Sequence, residues 1–363
     1  MSRASCLLLA TVAVAVALAL PAAAAAEPSD GTRIVGGSGA APGAWPWQAA
    51  VIDARYDDYQ GQFCGGSLVA PRWVLTAAHC VVSQGTPTSP SALRIMLGRT
   101  RLSATGGEDI AVARILVHPA YDAAAIAYDA ALIELSEPSS QTPVRLAAAG
   151  QTGLWSGGQS GVVTGWGTTS PRGDTYPDDL LQVVVPIRSD PECGQMLGSP
   201  FQAATMMCAG YDEGGRDSCY GDSGGPLVVE DREGGWRQAG VVSWGYECAA
   251  PSSPGAYARV GADPLRGWIE ASVQGLPGGG QEHSPVQTGA PASPGQYPQP
   301  APSSPAGGAG PAAGATAGPT PSVAAAPPRR TSRRPAKCRR KNGRTAKHRR
   351  ACKRKSLRSR TKR

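Results

Sequence analysis

The chain has 363 residues, long enough for one large or two ordinary domains, but its 47 glycines and 33 prolines are distributed so that not all of it folds. Its net charge of +8 hides two opposite bodies: residues 34–274 hold 14 Arg, no Lys and 24 Asp or Glu, whereas residues 329–363 hold 13 Arg, six Lys and no acid. Beyond the first 26 residues no stretch is apolar enough to cross a bilayer, which excludes a helical membrane domain.

Residues 1–26 carry Arg3, an apolar run from Leu7 to Leu20 and the small-residue end Ala24-Ala25-Ala26. That pattern predicts a secretory signal peptide, too short and wrongly flanked for a membrane span. Cys6 lies ahead of the apolar run, away from the cleavage site, which argues against a lipoprotein. Of the nine cysteines, six then lie between Cys64 and Cys248 and two in the tail, even numbers that suggest disulfides in an exported protein. Six cysteines allow fifteen pairings. There is no CxxC pair, and only His79 and His118 lie among these cysteines, so no metal site is expected and no cofactor.

From about 34 to 274 short β-rich runs alternate with turn residues: Gln48 to Ile52, Ser67 to Ala70, Arg94 to Leu97, Ile110 to Val117, Ala131 to Leu135, Leu181 to Val185, Leu227 to Val229, Ala239 to Ser243 and Ala256 to Val260. This spacing predicts an all-β sandwich or barrel. Only Pro264 to Val273 reads as a helix, with Asp263 as N-cap and Leu265, Trp268 and Ile269 on one face. Residues 275–328, dominated by Pro, Gly, Ala, Ser and Gln, form a linker that would span on the order of 40 Å as a flexible coil.

The basic tail, 329–363, has no aromatic and no apolar periodicity, so neither base stacking nor a membrane helix is expected. Its charge suits a polyanion such as an anionic cell-wall polymer, extracellular nucleic acid or the acidic domain of the same chain. A solvated tail without a single partner is the plain alternative. Cys338 and Cys352 flank Asn342-Gly343, a strong turn former, and suit a small disulfide-closed loop; free thiols or an intermolecular bridge are the alternatives.

The most informative segment is Asp217-Ser218-Cys219-Tyr220-Gly221-Asp222-Ser223-Gly224-Gly225-Pro226. Its glycines let the backbone turn tightly around Ser223 and point N–H groups at a developing oxyanion. A serine nucleophile needs a base, and His79, at the end of an apolar strand and beside Cys80, is better anchored than His118, which precedes Pro119 in an expected surface turn. The base needs a shielded carboxylate to orient it, and Asp129 leads straight into an apolar strand.

Together these residues resemble the chymotrypsin-like serine proteases, trypsin in particular, and look most like the secreted trypsins of actinobacteria. The resemblance covers about 34–274 and rests on Ile34-Val35-Gly36-Gly37, the TAAHC ending at Cys80, Asp129-Ala130-Ala131-Leu132, Gly165-Trp166-Gly167, the segment around Ser223 and Ser243-Trp244-Gly245. It implies two six-stranded antiparallel barrels with a C-terminal helix, and a monomer. It further implies His79, Asp129 and Ser223 as a catalytic triad, with the Gly221 and Ser223 N–H groups as oxyanion hole. Asp217 would read an Arg or Lys side chain, in a pocket kept open by Gly245 and Gly255 and flanked by Ser243. Removal of residues 27–33 by cleavage at Arg33 would free the Ile34 amine to pair with Asp222; self-activation and another protease both fit. The implied disulfides are Cys64–Cys80, Cys193–Cys208 and Cys219–Cys248. Tyr246 and Glu247 are expected on the pocket rim. Two departures stand out: no aromatic follows Cys193 closely, and Arg99 to Glu108 lacks the full acidic set of the animal calcium loop.

Overall fold

The computed structural model describes residues 34–171, 175–263 and 265–273, together with the backbone of Ser322–Val323, which pairs antiparallel with Trp244 and Gly245. The expected signal peptide, Arg33, the rest of the linker, and the tail with Cys338 and Cys352 lie outside the described residues.

Six strands close into a first barrel: β1 (Gln48–Asp53), β2 (Gln62–Ala70), β3 (Trp73–Thr76), β4 (Leu93–Leu97), β5 (Glu108–Val117) and β6 (Ala131–Leu135), hydrogen-bonded in the order β1-β2-β3-β6-β5-β4. Branched side chains on both faces of its strands, such as Leu68, Leu75, Ile95, Leu132 and Ile133, are fully buried. Burying each removes roughly 1.5–3 kcal/mol of unfavourable hydration.

Six further strands make the second barrel: β7 (Ser160–Gly165), β8 (Leu181–Pro186), β9 (Met206–Ala209), β10 (Pro226–Glu230), β11 (Trp236–Gly245) and β12 (Gly255–Arg259). They pair in the order β8-β7-β10-β11-β12-β9. An antiparallel bridge between Ile187 and Ala209, with Arg188 N–H donating to Cys208 C=O at 3.0 Å, joins the last strand back to the first. Ser38–Gly39 adds a short antiparallel pair to β8, which brings the Ile34 segment onto this barrel.

The two barrels meet through buried polar contacts as well as apolar ones. Ser67 Oγ donates to Gln238 Oε1 at 2.7 Å, and Thr164 Oγ1 to Gln48 Oε1 at 2.5 Å. Each partner is buried, so each bond fixes register at the seam and spares an orphaned polar group, worth about 1–3 kcal/mol.

The helix α2 (Leu265–Ser272) forms where the periodicity predicts it, burying Leu265 and Ile269. A second helix, α1 (Asp190–Leu197), is not anticipated by the sequence reading. Pro191 and Gly194 disguise it, but Ser189 and Glu192 form a capping box that fixes its first turn. Strand β3 is the apolar strand expected before His79, whereas β7 and β9 escape the sequence pattern. All three disulfides pair as the resemblance implies: Cys64–Cys80, Cys193–Cys208 and Cys219–Cys248. The missing aromatic after Cys193 is made good from elsewhere, because Phe201, Tyr128 and Tyr246 pack on the cluster around that disulfide.

Candidate active site

Strand β3 ends at Thr76, whose hydroxyl donates to Gly65 C=O at 2.8 Å, and a single helical turn, Ala78–Val81, follows. The turn carries His79, and the Cys64–Cys80 bridge ties it to β2. Asp129 enters from the loop before β6, after Tyr128 in the left-handed region at φ 52°, a conformation an ordinary side chain adopts only when its surroundings impose it. Asp129 is 1% exposed, yet its carboxylate is fully engaged. Oδ1 accepts the His79 backbone N–H at 2.9 Å, while Oδ2 accepts His79 Nδ1 at 2.7 Å and Ser243 Oγ at 2.6 Å. Burial pushes this carboxyl upward, but the His79 charge and the hydrogen bonds from His79 and Ser243 outweigh it and hold Asp129 below its usual range. An ionised Asp129 can only accept, so the proton of a neutral His79 ring belongs on Nδ1. Nε2 is thereby left as a base.

Ser223 lies in a turn closed by Asp222 N–H to Cys219 C=O at 3.0 Å and Gly225 N–H to Asp222 C=O at 2.8 Å. Gly224, at φ 80°, admits no side chain: a Cβ there would lie 2.2 Å from Thr76 Oγ1 and 2.6 Å from Gly65 C=O. Ser223 C=O in turn accepts Gly65 N–H at 2.7 Å. The Ser223 turn is thus docked onto β2 and onto the end of β3 that leads to His79. Ser223 is 2% exposed and its Oγ has no hydrogen-bond partner among the described residues. The same holds for the N–H groups of Gly221 and Ser223. A hydroxyl and two nearby N–H donors without partners among the described residues are equipped for attack on a carbonyl and for binding the resulting oxyanion.

A slot opens beside this turn, and Asp217, Ser218, Tyr220, Ser243, Gly245 and Gly255 line it, as do Tyr246 and Glu247. Asp217 is 4% exposed and pushed up to about 7, chiefly by burial, with the Asp222 charge adding to it. Ala249 N–H at 3.1 Å and Ser218 Oγ at 3.4 Å donate to it without reversing the shift. A Cβ on Gly255 would lie 3.1 Å from Asp217 Oδ1, so a side chain there would press on the carboxylate. A Cβ on Gly245 would meet Gly255 Cα at 3.9 Å, which leaves the two glycines facing across the slot.

Residues 34–269 match the Trypsin family model, about two thirds of the chain. The chain belongs to the trypsin family. It is 41% identical to a trypsin of Saccharopolyspora erythraea over 229 residues, 63% of this chain and 94% of that protein. With trypsin-1 of Astacus astacus it shares 39% identity over 246 residues, 66% of this chain and all of that protein. It is also 40% identical to transmembrane protease serine 9 of Rattus norvegicus over 252 residues, but spans only 22% of that larger protein. Membership in the trypsin family makes the chain a serine endopeptidase.

In this trypsin-family chain the start of the matched region is built into the second barrel. Ile34 is fully buried, Val35 C=O accepts Asp217 N–H at 3.2 Å, and Gly36, at φ 71°, lies so close to Gly215 that a Cβ would be 2.2 Å from its carbonyl oxygen. Asp222 is fully buried too; it accepts Gly167 N–H at 2.8 Å and Cys219 N–H at 2.9 Å, and burial pushes it up to about 7. The Gly165-Trp166-Gly167 motif has its explanation here, since a Cβ on either glycine would fall within 2.3 Å of the Asp222 carboxylate.

His118 is not at the surface, as its neighbour Pro119 suggested. It is 4% exposed, stacked on Tyr128 at 4.9 Å and edge-on to Trp268 of α2. Burial lowers its pKa. Among the described residues one group has metal-ligand proximity, Cys64, His79 and Cys80, but both sulfurs are spent in a disulfide. Sequence reasoning overlooked Gln62, Thr168 and Tyr257. Tyr257 is buried beside the slot with its hydroxyl 3.4 Å from Ser218 Oγ.

Proposed function

We propose that this trypsin-family endopeptidase cleaves peptide bonds after Arg or Lys, using Ser223, His79 and Asp129. Ser223 Oγ attacks the substrate carbonyl and passes its proton to His79 Nε2. The oxyanion is held by the Gly221 and Ser223 N–H groups. The tetrahedral adduct collapses, the amine leaves with the proton from His79, and water attacks the resulting acyl-enzyme by the same route in reverse. Asp129 keeps the imidazole in the tautomer that leaves Nε2 free and stabilises the imidazolium once formed.

The observation that carries the substrate assignment is Asp217: a carboxylate 4% exposed, at a slot whose described lining offers it no cation. A buried charge without a counter-charge is costly, and a substrate guanidinium or ammonium supplies one. Hydrolysis rates on arginyl, lysyl and phenylalanyl chromogenic peptides test it. Faster turnover of the phenylalanyl peptide refutes it.

The protein is made as a zymogen, exported by its first 26 residues and activated by cleavage between Arg33 and Ile34. Asp222, buried and with no cationic partner among the described residues, supports this, because a new Ile34 amine would neutralise it. A second role, polyanion or cell-wall binding through the tail, is favoured by the charge of residues 329–363, which hold 19 basic and no acidic side chains. The same Arg and Lys residues also offer cleavage sites to an Arg/Lys-specific enzyme. Intact masses of secreted wild type and Ser223→Ala report the mature N-terminus and the tail together. Equal tails in both contradict self-trimming.

A further inference from the structure

Gly221 supplies one proposed oxyanion donor, and nothing in its own side chain can hold it in place. Two peptide units meet at its Cα: one carries the Gly221 N–H, the other the Gly221 C=O. Each unit is planar and trans, so its C=O and N–H point in opposite directions. Fixing the carbonyl of a unit therefore fixes where its N–H points. In the first unit, Tyr220 C=O accepts Thr168 N–H at 2.8 Å, which directs the Gly221 N–H to the opposite side. In the second unit, Gly221 C=O accepts Gln62 Nε2 at 2.9 Å. Gln62 opens β2 of the first barrel, is 1% exposed, and donates also to Cys64 C=O at 3.2 Å. The second tether is thus a buried side chain from the other barrel.

Gly221 needs both tethers. Its φ of 97° is one that glycine reaches freely and leaves as freely. Tyr176 and Gly167 crowd the position a Cβ would take, at 3.3 and 3.2 Å, so a stiffer residue cannot replace it. Without the Gln62 donor, Gly221 C=O would be buried without this partner, and rotation of the second unit toward another donor would turn the oxyanion loop out of register.

We propose that Gln62 is a positioning residue for transition-state stabilisation: it touches no substrate, but holds the Gly221–Asp222 peptide unit and, through the shared Gly221 Cα, keeps the neighbouring unit turned so that the Gly221 N–H stays aimed at the oxyanion. The proposal rests on the oxyanion role assigned above to Gly221. Losing a whole oxyanion donor costs about 10²–10³ in kcat, and loosening one should cost roughly 10–100-fold.

The test uses Gln62→Leu, similar in volume but without a donor, in cleaved enzyme whose Ile34 terminus is verified. On an arginyl anilide kcat should fall roughly 10–100-fold while KM changes less than about threefold. An arginyl peptide aldehyde, which places an oxyanion between the donors, should lose affinity in step with kcat. Benzamidinium, which fills only the slot, should keep its affinity. If leucine prevents folding, Gln62→Met serves in its place. Unchanged kcat overturns the proposal. So does an equal loss of benzamidinium and aldehyde affinity, which would mean general damage to the site. Amidase activity that survives Ser223→Ala, with Gln62 left in place, would instead overturn the active-site assignment beneath it.

Discussion

Cation binding at Asp217 should depend on pH, with a break close to neutrality. Burial raises this carboxyl from 3.8 to about 7, equivalent to roughly 4 kcal/mol of ionisation cost. Below that break the carboxyl holds a proton, and an arriving amidinium must displace it. Benzamidinium affinity should therefore fall about tenfold per pH unit below 7 and level off above it. At pH 6 binding should release roughly nine-tenths of a proton. The same linkage acts on the fold. A carboxyl raised in the folded state binds its proton more tightly there than when unfolded, so Asp217 lowers stability progressively between about pH 4 and pH 7, and a bound cation restores it. Titration calorimetry on cleaved Ser223→Ala, from pH 5 to 8 in two buffers of different ionisation enthalpy, measures affinity and proton release together. An affinity independent of pH over that range, without proton release, would refute the burial argument and show Asp217 to be ionised throughout.

Ser223→Ala should abolish amidase activity without loss of stability, because the hydroxyl removed makes no hydrogen bond among the described residues; a scanning-calorimetry Tm within about 2 °C of wild type checks it. Arg99→Ala should loosen the loop from Arg99 to Glu108. The Arg99 guanidinium, 12% exposed, donates to Leu102 C=O at 3.0 Å and to Gly106 C=O at 2.9 and 2.6 Å, and pairs with Asp58. Its loss should cost roughly 2 kcal/mol, about 4–8 °C in Tm, and an unchanged Tm would show the loop to be held otherwise.

What the sequence reveals of this fold depends on whether an element's reasons are local. Branched runs such as Ala131–Leu135 announce themselves as strands because their own side chains are buried on both faces of the sheet. Strand β7 does not, since Gly161 and Gly165 are there to admit Leu227 and Asp222 from β10 and the Ser223 turn. Met206–Ala209 has no β-branched residue and is a strand only because β12 pairs with it. The site divides in the same way. His79, Asp129 and Ser223 stand in dense local motifs, and the structure brings the first two into contact and docks the turn of the third against the segment leading to His79. Gln62 stands in no motif. Its role depends on a carbonyl 159 residues away, and such a contact leaves no mark on its neighbours in sequence. His118 misleads for the same reason, as Tyr128 and Trp268 bury a residue that its own Pro119 would place in a turn.

The two most perturbed acids in the site answer to one physical device. Asp217 and Asp222 are both buried, both pushed up to about 7, and the charge of Asp222 is one of the things that raises Asp217. Under the proposed zymogen scheme each awaits a cation, a substrate side chain for Asp217 and the Ile34 amine for Asp222. Supplying the second should ease the ionisation of the first, and Val35 C=O, bonded to Asp217 N–H, joins the Ile34 segment directly to the slot. Coupling between two binding events is reciprocal. If cleavage tightens benzamidinium binding about tenfold, saturating benzamidinium must raise the pKa of the inserted amine by about one unit, since both express the same 1.4 kcal/mol. Two forms of Ser223→Ala test this at pH 7.5, one cleaved at Arg33 and one kept whole by Arg33→Gln. The cleaved form should bind benzamidinium at least about fivefold more tightly, and its alkaline loss of structure should move upward with ligand. Equal affinities in the two forms would mean that Asp222 and Asp217 do not communicate, and that the slot is complete before the chain is cut.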